Sequence, residues 1–325
     1  MGTSMKKNTK GLHFAVNRAS LSGPKSKQYR IRNNAKAFAT ELQRAGLGVK
    51  KWENLTNKHF QGAADSMKAR GVGDGRIAEV FSAARHVCNA YGNDGIAREN
   101  KEFGVERGRI ANKISRAADP EKVVQIIDEL RNGDNYRHSA RCAAQIELQY
   151  ELGLRREESA KVDLVNDWDR EQHTLLVHNG TKGGRPRTLH LSPQQEAALR
   201  RAEEFVSPSD RKGIFNLMPE GMGDKWLNKL DYAARKSGLT KKKLGYTLHG
   251  NRHERFRQVY VGHTGFQPPN QHRTHEDFVR EAQKSAGPNW SSLDSEARDQ
   301  IEVMAGHSPG RRDISDAYLG SSKTR

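Results

Sequence analysis

Along two long stretches of this chain apolar side chains recur every three or four residues, and in only one place does the spacing drop to two. That pattern predicts helices packed on helices, with a single small patch of sheet. The first stretch carries Phe38, Leu42 and Leu47, then Phe60, Ala63, Ala64 and Met67, then Ile77, Val80, Phe81, Ala84, Val87 and Cys88. Gly71, Gly73 and Gly75 punctuate it, and Gly92-Asn93-Asp94-Gly95 closes it, as glycines do at helix ends. A second stretch begins at Asp119-Pro120, with Val123, Val124, Ile126, Ile127 and Leu130, followed by Ala140, Ala143, Ala144, Ile146, Leu148 and Tyr150. Strand character then takes over in Thr174–His178 and Arg187–Leu191, which flank a polar turn through Gly183-Gly184 and read as a β-hairpin. Ser192-Pro193 is a cap followed by a favoured first helical residue, and helical spacing resumes from there to the C-terminus. The expected fold is mainly α with a small antiparallel β-sheet or hairpin.

With 325 residues and 34% apolar side chains, the chain has material for two modest cores rather than one. Residues 1–35 read as a basic, partly disordered arm, because no acidic residue occurs up to Thr40 while lysines and arginines abound. Residues 36–108 form the helical bundle, 109–118 a charged and weakly periodic linker, and 119–325 the second domain. Lys and Arg total 56 against 39 Asp and Glu, a formal charge of +17, which points to a phosphate-rich partner, nucleic acid foremost. No run approaches the roughly 20 apolar residues of a membrane span, and Lys6-Lys7 does not open a signal peptide. Two cysteines, Cys88 and Cys142, are too few for a disulfide framework. A cytoplasmic, DNA-associated protein is the expectation.

Four separated motifs carry the candidate chemistry. Arg155 precedes Glu158 by three residues, just after Gly153, so the two can share one helical face. Lys182 projects from the Gly-rich hairpin tip Thr181–Arg187, where glycines permit close approach to a backbone. His249 and Arg252 fall three apart at an expected helix start, a place that already favours phosphate. Gly306-His307 comes next, followed by Tyr318 near the C-terminus. Each motif alone has an ordinary explanation: a surface ion pair, a solvated turn, a chance His-x-x-Arg, a packing aromatic.

In this order, Arg, hairpin Lys, His-x-x-Arg, Gly-His and Tyr resemble the catalytic domain of the tyrosine recombinases, the phage-integrase family. The resemblance covers about residues 119–320, and the preceding bundle is similar to the family's core-binding domain in position and character. It implies that Arg155, Lys182, His249, Arg252, His307 and Tyr318 are catalytic and that Glu158 supports the first arginine. It further implies cutting and rejoining of DNA through a 3′-phosphotyrosine bond, without metal or nucleotide cofactor, by a homotetramer on paired double-stranded recombination sites. Accessory DNA-bending or directionality proteins fit the same picture. Two departures stand out. The spacing from His307 to Tyr318 is slightly longer than usual, the extra length falling in Pro309-Gly310-Arg311-Arg312. The stretch between Arg252 and His307 is much longer, and residues 262–295 read as an insert: a surface loop, or a contact to DNA or to a neighbouring subunit.

The chemical logic needs no family. A phosphodiester repels nucleophiles and its transition state gathers more charge, so placed guanidinium groups lower the barrier. A tyrosine phenol, with an ordinary pKa of about 10, needs nearby cations to attack. Tyr246 and Tyr260 precede Gly-His and are poorer nucleophile candidates. His249 and His253 sit four apart, but Gly250 stands where a zinc protease motif has glutamate, and no further ligand set completes a zinc site. No GxGxxG or P-loop motif occurs. The alternatives are a type IB topoisomerase, which shares the same residue logic, and a DNA-binding architectural protein without catalysis.

Overall fold

The structure is a computed structural model in which residues 10–106, 114–133, 137–181, 185–209 and 213–323 are described. It divides into two compact units, Met1–Arg109 and Ile110–Arg325.

The first unit is built from α1 (Lys10–Arg18), α2 (Lys25–Arg44), α3 (Asn57–Ala69) and α4 (Asp74–Ala90). Its core is aromatic: Phe38, Phe60, Phe81 and Phe103 meet with ring centroids 4.6–5.8 Å apart, and Trp52 lies against Phe38. The basic arm expected at 1–35 is corrected for residues 10–35, which are folded. Leu12, Val16 and Ala19 recur at helical spacing and are buried, as are Ile31 and Ala35. The indole of Trp52 donates to the carbonyl of Leu12 (3.1 Å), and the Tyr91 hydroxyl donates to that of Ala15 (2.8 Å). Positive charge on the outer face did not prevent this segment from burying its inner one.

The second unit comprises α5 (Pro120–Asn132), α6 (Ser139–Leu152), α7 (Arg156–Lys161), β1 (Trp168–Asp169), β2 (Thr174–Val177), β3 (Arg187–His190), α8 (Pro193–Glu203), β4 (Ser207–Pro208), β5 (Phe215–Asn216), α9 (Lys225–Lys236), α10 (Lys241–Leu244), α11 (His249–Thr264), α12 (His275–Ala286), α13 (Trp290–Met304) and α14 (Arg312–Leu319). Strands β1, β2 and β3 form an antiparallel sheet in that order, and β4 pairs with β5. Capping follows the sequence: Asp119 accepts from the amides of Glu121 and Lys122, and Ser192 exchanges hydrogen bonds with Gln195. Helix α6 is buried on nearly every side and packs against α5, α8 and α11. The linker expected at 109–118 ends inside this unit, where Ala118 is buried and its amide donates to Gly250 O (3.0 Å); residues 107–113 lie outside the described ones.

The surface-loop reading of 262–295 is overturned. This stretch holds a 3-10 turn (Pro269–Gln271) and α12, and it contributes Phe266, Phe278 and Ala282 to a core shared with Phe256, Tyr260, Ile301 and Leu319. Three aromatic or small side chains inside the core are a packing element rather than a tolerated excursion. Among the described residues, no helix is long and apolar enough to cross a membrane.

Candidate active site

One carboxylate organises the site. Glu158 sits in the first turn of α7 and is wholly buried. Its Oε2 accepts from the backbone amide of Arg155 (2.8 Å), which fixes the turn that launches both side chains. Arg155 Nη1 donates to Oε1 at 2.5 Å. Arg187 donates from Nη1 to Oε1 (3.0 Å) and from Nη2 to Oε2 (2.7 Å), and Arg252 Nη1 approaches Oε2 at 3.5 Å. Burial alone would raise the Glu158 carboxyl, but the hydrogen bonds from Arg187 and the charges of Arg187, Arg252 and Arg155 hold it at about 2.

The turn is braced from below by a polar network inside the core. Gln145 of α6, fully buried, donates to Arg156 O (3.0 Å) and Ser159 Oγ (3.1 Å) and accepts from the Trp226 indole (2.7 Å). From the side, Gly180 lets the hairpin close in. Its φ is +73°, and a Cβ there would stand 2.7 Å from Glu157 O and 3.0 Å from Glu158 N, so no other residue fits.

Arg252 is buried on α11. Its Nη1 donates to Gly153 O (2.6 Å), the carbonyl exposed where α6 ends in a left-handed glycine. Its Nε donates to the hydroxyl of Tyr318 at 3.0 Å. Among the described residues Nη2 has no partner. Burial lowers this guanidinium's pKa from its ordinary value, though arginine keeps its proton throughout the accessible pH range. The start of α11 is close-packed: a Cβ on Gly250 would meet Tyr246 at 2.9 Å and Arg116 O at 3.0 Å.

His249 opens α11 at the edge of a cleft of about 790 Å³ lined also by Arg155, Asn179, Gly180 and Thr181. Surrounding protein, then the positive charges of Arg252, Arg155 and Arg116, depress its imidazole to about 4. The side chain keeps an open face to solvent, and His249 is neutral at pH 7. His253, buried one turn on, is driven down to about 3, first by burial and then by His249, with the Tyr318 backbone working the other way.

Gly306, at φ +83°, turns the chain after α13, and Arg155 Nη2 donates to the carbonyl just before it, Ala305 O (2.7 Å). His307 follows, half-buried, its pKa lowered by burial and then by Arg155, Arg311, Arg185 and Arg252. The residues Pro309–Arg312 absorb the long spacing to the tyrosine: Gly310 N donates to Asp299 (3.0 Å), and Arg312 Nη1 donates to Asp299 (2.6 Å) and Glu302 (3.0 Å). Helix α14 is thereby pinned to α13, and Ser315 adds a hydrogen bond to Glu302 at 2.7 Å. Tyr318, half-buried, lies with its ring 4.6 Å from Phe256 and 4.8 Å from His253.

The fold thus brings together Arg155, Glu158, His249, Arg252, His307 and Tyr318, drawn from α7 and its N-cap, α11, the turn after α13, and α14. Lys182 lies outside the described residues. Tyr260 is buried and donates to Asp294 (2.6 Å), and burial followed by that carboxylate pushes its hydroxyl's pKa up, away from nucleophile use. Burial raises Tyr246 likewise. Two site neighbours carried a weaker signal in the sequence. Arg187 shares the inward face of β3 with Leu189, a place where a charge requires a buried counter-charge; His253 is one helical turn from His249. Chemically, the arrangement offers fixed guanidinium donors, neutral imidazoles and a phenol oxygen already facing a cation. That is the equipment for stabilising a phosphorane-like transition state while a phenol attacks.

A family model described as Integrase matches residues 107–230, which includes Arg155 and Glu158 but stops short of His249. Tyrosine recombinase XerC of Alcanivorax borkumensis is 25% identical over 173 residues, 52% of this chain and 55% of that protein, so the match spans about half the length of the curated relative. Among solved structures, the Tn1549 transposon integrase in complex with transposon right end DNA superposes with a TM-score of 0.56 at 14% identity, covering 97% of this chain and 95% of that one. A lambda integrase dimer bound to a core site gives 0.52 at 14% identity, covering 96% and 94%. At such identities the structural likeness speaks for the fold alone. An arginine-bearing turn, a His-x-x-Arg helix and a tyrosine helix that meet at one point thus stand in a chain whose residues 107–230 match the integrase model and whose fold is similar to that of tyrosine recombinases.

Proposed function

We propose that this protein is a site-specific DNA recombinase that cuts and rejoins strands through a covalent 3′-phosphotyrosine intermediate. One distance supports the reading above all: Tyr318 Oη stands 3.0 Å from Nε of Arg252, a buried guanidinium that shares the Glu158 carboxylate with Arg155. In this reading Arg155 and Arg252 grip the non-bridging oxygens of the scissile phosphate, with His307 as a further donor. Tyr318 Oη bonds to phosphorus as the bond from phosphorus to the 5′ oxygen breaks. The phenolic proton passes to neutral His249, and Lys182 on the hairpin protonates the departing 5′ oxygen. A 5′ hydroxyl from another strand then attacks the phosphotyrosine, the protons return, and the strands are joined in a new combination. Bond energy is conserved throughout, so the exchange needs neither ATP nor metal.

Double-stranded DNA is the partner in this reading. The first unit, rich in lysine and arginine, adds phosphate contacts of its own, and four protomers act on two paired sites. Binding should weaken steeply with salt, as phosphate contacts dictate.

The test is trapping on a nicked duplex selected from a random-sequence pool by retention on the protein. An adduct that survives denaturation and maps by mass to Tyr318 is expected. Tyr318→Phe should abolish the adduct and leave gel retardation intact. Retardation without any adduct from the unmodified protein would overturn the reading in favour of an architectural role. Relaxation of supercoils by isolated monomers, with no strand exchange, would favour the topoisomerase.

A further inference from the structure

The last turn of a helix leaves its carbonyls without intrahelical partners, and whatever satisfies them fixes where the helix end points. Tyr318 lies in the last turn of α14, and its backbone carbonyl accepts from Asn270 Nδ2 at 2.8 Å. Asn270 is nearly buried at 7% exposure and comes from residues 262–295, the stretch that reads as an insert in the sequence. That stretch is itself rigidly held. Pro268-Pro269 restrict the backbone entering the 3-10 turn, and Arg257 Nη1 donates to Gln267 Oε1 at 3.1 Å. Phe266 and Phe278 anchor the turn and α12 in the same core that buries Leu319. So the residue next to the nucleophile packs against the insert, and the nucleophile's own carbonyl is tied to it.

We propose that Asn270 is a positioning residue, and that segment 262–295 is a brace committing Tyr318 to the Arg252 of its own protomer. The inference rests on the proposed recombinase reading and goes beyond it by assigning work to a segment that carries none of the candidate catalytic residues. Without the brace, α14 would be held at its start, through Arg312 and Ser315, while the turn bearing the phenol could swing. The Tyr318 hydroxyl would then spend only part of its time within reach of the phosphate.

The experiment uses the full chain and the selected duplex, nicked in turn at successive phosphates, under single-turnover conditions. Asn270→Asp removes the donor at nearly constant shape, and Asn270→Ala removes it without adding charge, so one variant guards against misfolding of the other. Both are expected to slow the rate constant for adduct formation about tenfold, the factor set by about 1.4 kcal/mol, with DNA affinity within about twofold. A merely structural role would reduce the amount of active protein and leave the rate constant of the folded fraction untouched. In a companion mixture, Tyr318→Phe and Arg155→Ala protomers are expected to give no adduct together, since each tyrosine serves its own site. Parental rate constants in both Asn270 variants, or adduct from the mixture, would overturn the inference while leaving the recombinase reading standing. Absence of adduct from the unmodified protein would instead strike at that reading itself.

Discussion

Replacing Glu158 by glutamine removes the one negative charge around which Arg155, Arg187 and Arg252 are gathered. The magnitude follows from the carboxyl's own titration. Held at about 2 rather than the ordinary 4.5, it marks an ionised form favoured in the folded state by roughly 3 kcal/mol. This agrees with the roughly 3–5 kcal/mol lost when one member of a buried ion pair is removed. Because the folded-state value is the lower one, the contribution is fully present above about pH 4.5 and disappears as pH falls towards 2. Urea unfolding followed by tryptophan fluorescence can measure it, since Trp168, Trp226 and Trp290 lie in the second unit and Trp52 in the first. Glu158→Gln should lower the stability of the second unit by about 3 kcal/mol at pH 7, and the gap between variant and parent should narrow progressively below pH 4.5. A variant as stable as the parent at pH 7, or a gap indifferent to acid, would refute the claim that this carboxylate holds the arginines together.

Other perturbations separate cleanly. Two glycines of α11 should respond oppositely to alanine. Gly250→Ala forces a Cβ to within 2.9 Å of Tyr246 and should destabilise by about 1–3 kcal/mol, whereas Gly262→Ala enters open space and should stabilise by about 0.5–1 kcal/mol; thermal or urea melts decide. Gly180→Ala should slow adduct formation and destabilise by more than the roughly 1–2 kcal/mol of a left-handed alanine, because its Cβ also strikes the backbone of Glu157; wild-type kinetics would show that the hairpin need not press on α7. Below about pH 6.5 the unfolded chain takes up a proton that His253, held at about 3, refuses, so stability should fall with acid; His253→Gln should flatten that slope by about 1.4 kcal/mol per pH unit, and an unchanged slope would count against a buried neutral ring.

What could be read in advance depended on whether a residue's role is local. The Arg155 and Glu158 pair, the His-x-x-Arg helix start and the Ser192 cap are spaced by helical geometry, so the sequence displays them directly. Arg187 was harder. It lies at a polar hairpin tip, and only the register pairing it with Val177 turns its side chain inward to Glu158. The N-terminal arm shows how one signal can hide another: lysines and arginines drew attention from Leu12, Val16 and Ala19, whose spacing already described a buried helical face. Asn270 had no signal at all, since its partner is a backbone carbonyl 48 residues away, and a carbonyl has no letter in a sequence.

The imbalance around Glu158 has a bearing on how the molecule responds to its ligand. Three guanidiniums converge on a single carboxylate, and one nitrogen of Arg252 is left in the interior with no partner among the described residues. Such a cluster is electrically unfinished. A phosphodiester seated there would act as the missing anionic piece of the protein's own interior, so binding and tightening of the second unit become one event, and DNA should raise its melting temperature even when Tyr318 is replaced by phenylalanine.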